Sequence, residues 1–330
     1  MQLHKDKRNF RTILDYVANI TGLNETILEK DYYVTVFLRQ LAELQNNGYK
    51  AYFKGGTALY KALKTVGRFS EDIDLTVNIE GLANWTQKRN YLKKVTKINL
   101  DCFNLLENEC YTNKQNILAV YAYDSFYERK TKDEMDRFGK LKIEATSFTV
   151  SEPIEDLEVS CLIYDHAEEV QKKILRDRYA VSPSPVKTIT MERLFIDKLF
   201  AAETYIRQLG TKGIDASKHL YDLTVMYGRD NIRQFVKDEN KMAEMISIRF
   251  KEEQARLGGI PGVLPKDFDF FNQLEGNKTL AVEFEKMQRV YVLQDKYRVT
   301  TEDMIHKILK IHEELCRNPA WNETINDKKI

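Results

Sequence analysis

The segment FKGGTALYKALKTVGRFSEDIDLTV at 53–77 constrains the fold more than any other part of the chain. A short apolar stretch at 51–53 runs into a pair of glycines, and Thr57 is placed to cap a helix through ALYKAL. The residues DIDLTVNI at 72–79 then alternate between polar and apolar, as a half-buried strand does. A strand, a glycine turn, a helix and a second strand in one short segment predict an α/β fold with a small mixed sheet.

The same segment contains the side chains and the turn that phosphoryl transfer requires. Asp72 and Asp74 are two residues apart on the predicted strand, so both carboxylates project from one face. Two such charges repel each other unless a cation lies between them, and their oxygens suit Mg²⁺ or Mn²⁺. Gly55 and Gly56 let backbone N–H groups approach a phosphate at the start of the helix. Each feature alone is common on solvated strands and in turns, and no Walker A loop is present; together they predict a phosphoryl-transfer site.

The rest of the chain changes character near 182–185, where the sequence SPSP indicates a linker. Before it, helical patterns fill 8–47 and 84–109, and strands are predicted at 117–123, 140–150 and 158–164. After it, helix-like spacing recurs at 189–208, 216–228, 230–256, 280–294 and 301–316. Thr300 is placed to cap the last of these helices. We therefore expect a catalytic α/β domain at 1–182 and a helical domain at 186–330 that closes the active-site cleft.

Composition narrows the class of protein. The chain has 330 residues, more than the roughly 250–300 at which single cores stop growing. Its formal net charge is +1, so any site for a polyanion must be a local patch. Four cysteines without a C-x-x-C pair argue against a disulfide framework and against a zinc site. The start lacks the apolar region of a secretory signal and no apolar run approaches membrane-spanning length, so we expect a cytoplasmic protein that does not contact a membrane.

The glycine turn and the aspartate strand carry the motifs K-G-G-T-A-L and R-F-S-E-D-I-D-L, within 54–75. In these motifs the chain resembles the AbiEii/AbiGii toxin-type nucleotidyltransferases, which have a polymerase-β-like catalytic core. The resemblance extends to E-K-D-Y-Y at 29–33, to E-R-L-F-I-D-K-L-F-A at 192–201 and to K-H-L-Y-D-L at 218–223. Residues 29–223 carry the match, while the last hundred or so resemble the family only in being helical.

The resemblance implies roles for individual residues. Gly56 and Thr57 match the pair that contacts triphosphate, and Asp72 and Asp74 match the metal-binding aspartates. Lys198 matches the lysine of the second lobe that reaches the triphosphate. Further positions take roles from the same motifs: Asp222 matches the acidic residue that follows the lysine, and Gly55, Arg68 and Ser70 lie within the nucleotide-binding segment. One departure concerns Asp222, because this chain has Lys218-His219 where many relatives have Arg-Asp.

Several of these positions also have a structural interpretation. Lys198 lies among apolar neighbours, where a lysine usually extends its stem along the core and its amine towards water. Arg68 and Ser70 can shape the turn before the aspartates. His219 is more typical of a packed or surface histidine than of a ligand.

A third metal ligand is predicted on a neighbouring strand, as polymerase-β-type cores commonly have one. Glu144 is our candidate, because it shares one strand face with Lys142 and Thr146. The alternatives are Asp124, Asp165 and an ordinary solvated strand face.

A basic stretch at 81–100 indicates a second kind of surface. It contains Lys88, Arg89, Lys93, Lys94 and Lys97 and no acidic residue, and three of these recur at four-residue steps. It is either a solvated helix face or an RNA-backbone track beside the catalytic cleft. A second basic cluster at 172–178 is interrupted by an aspartate.

The expected function is metal-dependent transfer of a nucleotide from a nucleoside triphosphate to an acceptor, with pyrophosphate leaving. By resemblance, the chain would be the toxin of a toxin–antitoxin or phage-defence pair, with tRNA as a plausible acceptor and a cognate antitoxin as partner. The alternatives are a nucleotidyltransferase that modifies a protein or a small molecule such as an antibiotic, and a catalytically idle interaction module.

Overall fold

The computed structural model describes residues 2–113, 115–127, 137–148, 152–257 and 262–322. The chain divides into two compact units. Unit 1 contains residues 1–62, 71–147 and 154–188, and unit 2 contains residues 63–70, 148–153 and 189–330. Residues 63–70 thus belong to the same unit as the C-terminal helices. The predicted division into a catalytic domain at 1–182 and a helical domain at 186–330 stays a prediction.

The strands of the described chain form one mixed sheet. They are β1 (Ala51–Lys54), β2 (Ile73–Val77), β3 (Phe103–Leu105), β4 (Tyr111–Thr112), β5 (Asn116–Tyr123), β6 (Lys140–Thr146), β7 (Ile154–Val159) and β8 (Ser184–Ile189). Their order across the sheet is β3-β5-β6-β2-β1-β8-β7, and β4 pairs with β5. β2 is antiparallel to β1 and parallel to β6, so the sheet is mixed around the aspartate-bearing strand.

The helices fall into the two units. Unit 1 contains α1 (Lys7–Thr21), α2 (Glu25–Asn46), α3 (Gly55–Lys61), α4 (Trp85–Thr96), α5 (Leu162–Asp165) and α6 (Glu169–Tyr179). Unit 2 contains α7 (Met191–Ile206), α8 (Leu209–Met226), α9 (Asp230–Lys237), α10 (Glu239–Arg256), α11 (Lys278–Tyr291), α12 (Thr301–Arg317) and α13 (Pro319–Asn322). Short 3₁₀ turns lie at Leu3–Lys5, Glu107–Glu109, Pro265–Asp267, Phe270–Gln273 and Asp295–Tyr297. The predicted α/β fold class, with a helical C-terminal part, is confirmed.

One face of the sheet is covered by helices and the other bears the polar residues. Ile73 and Leu75 on β2 and Ile143 on β6 are completely buried, whereas Asp74 and Glu144 between them are half-buried. Cross-strand neighbours lie on the same face, so the carboxylates project away from the apolar core. α4 packs on the apolar side, where the Tyr121 hydroxyl of β5 donates to the carbonyl of Thr96 at 3.1 Å.

Several expected boundaries are wrong for identifiable reasons. The helical region 8–47 is broken by Gly22, which ends α1 at a φ of 71°, and Asn24 then caps α2. The helix expected over 84–109 ends at Thr96, because Tyr121 bonds the backbone on both sides of this point. The expected strand 158–164 lies earlier, at 154–159. Residues 149–150 of the expected strand 140–150 lie outside the described residues.

The interpretation of 182–185 as a linker is also wrong at its C-terminal end. Ser184 and Pro185 begin β8, whose Val186 and Thr188 are completely buried. The side chain of Gln45 fixes the middle of this strand: its oxygen accepts from the Lys187 N–H at 2.8 Å, and its amide donates to the Lys187 carbonyl at 3.0 Å. The prediction that Thr300 caps α12 is confirmed, because its hydroxyl oxygen accepts from the Asp303 N–H at 3.1 Å.

No helix among the described residues is both long enough and apolar enough to cross a bilayer.

Candidate active site

The glycine turn lies directly against the second aspartate. Gly55 begins α3 at a φ of 79°, a left-handed conformation that L side chains rarely adopt. A Cβ atom at this position would lie 2.0 Å from Asp74 Oδ2. Glycine is therefore required twice here, for the backbone conformation and for the close approach of the carboxylate. The backbone at the start of α3 and the Asp74 carboxylate thus form one site in unit 1.

Thr57 ties the same turn to the first aspartate. The prediction that Thr57 caps the helix is wrong, because α3 already begins at Gly55. Thr57 is instead completely buried, and its hydroxyl donates to the backbone carbonyl of Asp72. That hydrogen bond fixes the chain just before β2, so Thr57 positions Asp72 rather than presenting its hydroxyl to solvent.

Two carboxylates share the polar face of the sheet at this point, and a third directly precedes it. Asp72 is exposed immediately before β2, Asp74 lies on the polar face of β2, and Glu144 is the direct neighbour of Asp74 on the parallel strand β6. Glu144 Oε1 accepts from the Asn116 side chain at 2.8 Å. The two alternatives to Glu144 have other partners, since Asp124 pairs with Lys7 and Asp165 accepts from Ser160 at 2.5 Å.

The donor set fits a divalent ion that is held partly by its substrate. Within the described ranges, the Asp72 carboxylate makes no hydrogen bond or ion pair, which leaves its oxygens available. No group of three or more His, Cys, Asp or Glu side chains converges as a metal site in that part of the chain. A site with two carboxylates is what Mg²⁺ ordinarily uses when phosphate oxygens complete its coordination. Asp72 and Asp74 fit that ion, and Glu144 lies one strand away.

Unit 2 contains a buried cluster of two cations and one anion. Asp222 on α8 is completely buried, and Arg68 grips both of its oxygens, with Nε–Oδ1 at 2.7 Å and Nη2–Oδ2 at 2.6 Å. Lys198 on α7 adds a third contact, with Nζ–Oδ2 at 2.7 Å. Lys198 is only 6% exposed and Arg68 only 3%. Two positive charges share one carboxylate, so the cluster has a net charge of about +1.

The electrostatics of this cluster hold Asp222 in its charged form. Burial alone raises the pKa of a carboxyl group, but Arg68 and then Lys198 oppose it and bring the pKa of Asp222 down to about 2. Asp222 therefore has no oxygen left for a ligand and works as a positioning residue for Arg68 and Lys198. His219, one turn earlier on α8, is half-buried and stacks on Tyr205 with ring centroids 5.1 Å apart. Burial, together with the positive charge of Lys198, lowers the pKa of His219 well below its ordinary value, so it is neutral.

The E-K-D-Y-Y segment of α2 contacts several other parts of unit 1. Asp31 is buried and pairs with Lys61 of α3 at 2.5 Å, while its other oxygen accepts from the Leu162 N–H at 2.7 Å. Burial raises the pKa of Asp31 although Lys61 opposes this. Glu29 accepts from the backbone of Phe126 at 2.9 Å. The pair between Asp31 and Lys61 holds α3, and with it the glycine turn, against α2.

Two lysines near the carboxylates were not predicted from the sequence to be part of the site. Lys30 is buried and donates to the carbonyls of Arg137, at 2.9 Å, and Lys140. Burial lowers its pKa to about 8, and the negative charges of Glu71 and Asp72 partly oppose that change. Lys54 is the cross-strand neighbour of Asp74 on β1 and donates to Thr146 Oγ1 at 3.0 Å. The alternation of Tyr52, Phe53 and Lys54 could have placed Lys54 on this face. Lys30 lies in the E-K-D-Y-Y segment that carries the resemblance, but the segment alone gave it no role.

The solved structures that are similar to the chain have low sequence identity to it. Two solved structures are similar to the chain: JHP933 from Helicobacter pylori, and MenT4, the nucleotidyltransferase toxin Rv2826c from Mycobacterium tuberculosis H37Rv. The first is 14% identical, covers 89% of this chain and 95% of its own, and has a TM-score of 0.43. The second is 13% identical, covers 92% of this chain and 98% of its own, and has a TM-score of 0.45. A search of curated proteins found no match.

Residues 36–305 match the family described as nucleotidyl transferase AbiEii toxin, type IV TA system. This match spans most of the chain and includes both aspartates, Lys198 and Asp222. The resemblance inferred from the motifs is therefore confirmed, and the chain belongs to the AbiEii family of nucleotidyltransferase toxins.

Proposed function

We propose that this nucleotidyltransferase moves a nucleoside monophosphate from a nucleoside triphosphate to an RNA acceptor, with tRNA as a plausible acceptor, and that it does so with Mg²⁺ or Mn²⁺. The proposal rests above all on the contact between Gly55 and Asp74. Backbone that can approach a phosphate and a carboxylate that can hold a metal ion are part of one site, with no side chain between them. The transfer would take place there, in the cytoplasm, where triphosphates and RNA are available.

Asp72 and Asp74 are the residues that would hold the metal. A divalent ion bound there would stabilise charge on the attacking and leaving oxygens. The side chain of Thr57 keeps Asp72 in place through the carbonyl of that residue, and Gly55 keeps the space beside Asp74 open. Glu144 is the proposed third carboxylate, since the register of β2 and β6 makes it the neighbour of Asp74. The start of α3 would accept the phosphates through Gly55, Gly56 and the following N–H groups.

Lys198 and Arg68 are the proposed cations for the triphosphate. Their shared carboxylate, Asp222, leaves the pair with an excess positive charge and holds both side chains rigidly. Rigidly held cations suit an anionic ligand, because little conformational entropy is lost when the ligand binds. Ser70 lies two residues after Arg68 and is half-buried; we propose that it contributes to nucleotide binding.

The acceptor can be identified by following a label. The protein would be incubated with Mg²⁺, total RNA and each of the four α-³²P-labelled nucleoside triphosphates in turn. Label in RNA, lost in Asp72→Asn, supports the proposal. Label in the protein itself or in a small molecule would instead support the alternative acceptors, and an absence of transfer with all four triphosphates would contradict the proposal.

We also propose that the protein is paired with a cognate antitoxin, in a toxin–antitoxin or phage-defence role. The family description supports this pairing. Expression of the wild-type chain in a bacterial host should arrest growth, whereas Asp72→Asn should not. Rescue of growth by a neighbouring gene would support the pairing, and equal growth with both chains would contradict the toxin role.

A further inference from the structure

The basic helix α4 lies on the opposite side of the sheet from the carboxylates. Tyr121 is the cross-strand partner of Leu141 and bonds the end of α4 through its hydroxyl. Glu144 pairs with Leu118 instead, three residues along β5, and therefore lies on the other face. The basic residues at 81–100 therefore do not form an RNA-binding track directly beside the catalytic residues. The cations of α4 require a different explanation.

These cations are exposed and uncompensated. Arg89, Lys93, Lys94 and Lys97 are all exposed, and none of them forms an ion pair with another residue of the described chain. Residues 81–100 contain no acid. A solvated helix normally carries acids that offset its bases, as α6 does with Glu169 and Asp177. Positive charge without partners favours a polyanionic ligand.

An aromatic side chain accompanies the charge. Trp85 begins α4, one turn before Arg89, and is 43% exposed. Exposed aromatic rings beside cations are typical of surfaces on which nucleic-acid bases stack. Trp85, Arg89, Lys93 and Lys97 recur at four-residue steps, so the ring and the charges lie on one helical stripe that a phosphate backbone with a stacked base can follow. The combination therefore favours RNA over protein.

We propose that α4 forms a second RNA-binding surface, remote from the reacting end of the acceptor. We call it the α4 surface: Trp85, Arg89, Lys93, Lys94 and Lys97. It deepens the proposed function, on which it rests, because it sets a minimum size for the acceptor. From β2 to the edge strand β3 there are three strand spacings, about 14 Å. An acceptor that reaches both surfaces must continue around that edge, as a folded RNA of tRNA size can and a short oligonucleotide cannot.

The test compares two variants with equal changes in net charge. The first is Arg89→Gln/Lys93→Gln/Lys97→Gln, on the α4 surface. The matched control is Lys237→Gln/Lys307→Gln/Lys310→Gln, three exposed lysines of α9 and α12 in unit 2. Binding of unfractionated tRNA would be measured between about 50 and 200 mM salt by fluorescence anisotropy. Each lost phosphate contact flattens the slope of log K against log salt by about 0.7–0.9, so the first variant should flatten it by about 2 and the control should not.

A kinetic measurement separates this inference from the proposed function. With an RNA that accepts the label, the α4 variant should raise the KM for that RNA, while kcat and the KM for the triphosphate stay at the wild-type values. A short oligonucleotide from the labelled end of the same RNA should be used equally by both variants. The binding measurement needs no transfer, so an inactive wild-type protein would contradict the proposed function alone. A salt slope and an RNA KM equal to those of the control would overturn the second surface and favour an acidic protein partner for α4.

Discussion

At the scale of single residues, the site depends on glycine and on carboxylates whose surroundings differ sharply. Asp72 is exposed and its oxygens are available, whereas Asp222 is completely buried and saturated by two cations. Both aspartates belong to motifs of the family, yet their environments give them different tasks. Asp72 can hold a ligand, and Asp222 can only hold other side chains.

Gly55→Ala should abolish transfer. The new methyl group would meet Asp74 Oδ2 and would also strain the left-handed backbone, at a cost of about 1–3 kcal/mol for the backbone alone. Gly48→Ala is the matched control, because Gly48 has a φ of 85° and no atom lies within 4 Å of its added Cβ. Thermal unfolding should show a similar backbone cost in both variants. If the Gly55→Ala protein transferred label as well as the Gly48→Ala protein does, transfer would not depend on the close approach of the glycine turn to the Asp74 carboxylate.

Asp222→Asn should destabilise the protein by about 3–5 kcal/mol, because two buried cations lose their counter-charge. The sign of the pH dependence follows from the lowered pKa. A carboxyl group with a folded-state pKa of about 2, below its ordinary 3.8, contributes stability above pH 4 that is lost as the pH falls towards 2. That contribution is about 2 kcal/mol. The free energy of unfolding, measured with denaturant between pH 2 and 5, should therefore fall more steeply with decreasing pH in the wild type than in the variant. Equal slopes would contradict the ionised, cation-paired state of Asp222.

At the scale of elements, the predictable parts are those whose signals are local. The alternation around Asp72 and Asp74 predicts β2, and the glycine pair predicts the turn before α3. The end of α4 is not predictable in this way, because a tyrosine from β5 sets it. The role of Thr57 fails for the same reason, since its partner is a backbone carbonyl fifteen residues away. The contact between Arg68 and Asp222 spans 154 residues and no local pattern encodes it.

The α7 lysine gives a prediction at this scale. Lys198→Ala should weaken use of the triphosphate and lower the transfer rate, because one of the two buried cations is removed. Lys198→Arg should restore only part of the activity, since a planar fork replaces a compact charge beside Asp222. Steady-state kinetics and denaturant unfolding of both variants would be compared. Stability lowered by a few kcal/mol with unchanged kinetics would show that Lys198 serves packing through its stem instead.

At the scale of the whole molecule, the residues proposed to bind metal and triphosphate are divided between two compact units. Unit 1 provides the glycine turn and the aspartates, and unit 2 provides Arg68, Lys198 and Asp222. The sequence predicted a division of labour of this kind, but it placed Arg68 and Ser70 with the aspartates that they directly precede. Their segment, 63–70, packs with unit 2 because the N–H of Phe69 donates to the Tyr291 carbonyl at 2.7 Å and Arg68 grips Asp222.

The proposed metal-binding role of Asp72 and Asp74 is tested most directly by measuring nucleotidyl transfer and metal binding on the same variants. Asp72→Asn should retain the wild-type melting temperature without metal, because its side chain is exposed and the change removes repulsion from Asp74. It should lose both the transfer of α-³²P label to RNA and the Mn²⁺ binding detected by electron paramagnetic resonance in the presence of a triphosphate. A normally folded Asp72→Asn protein that binds Mn²⁺ and transfers label at near wild-type rates would contradict the account.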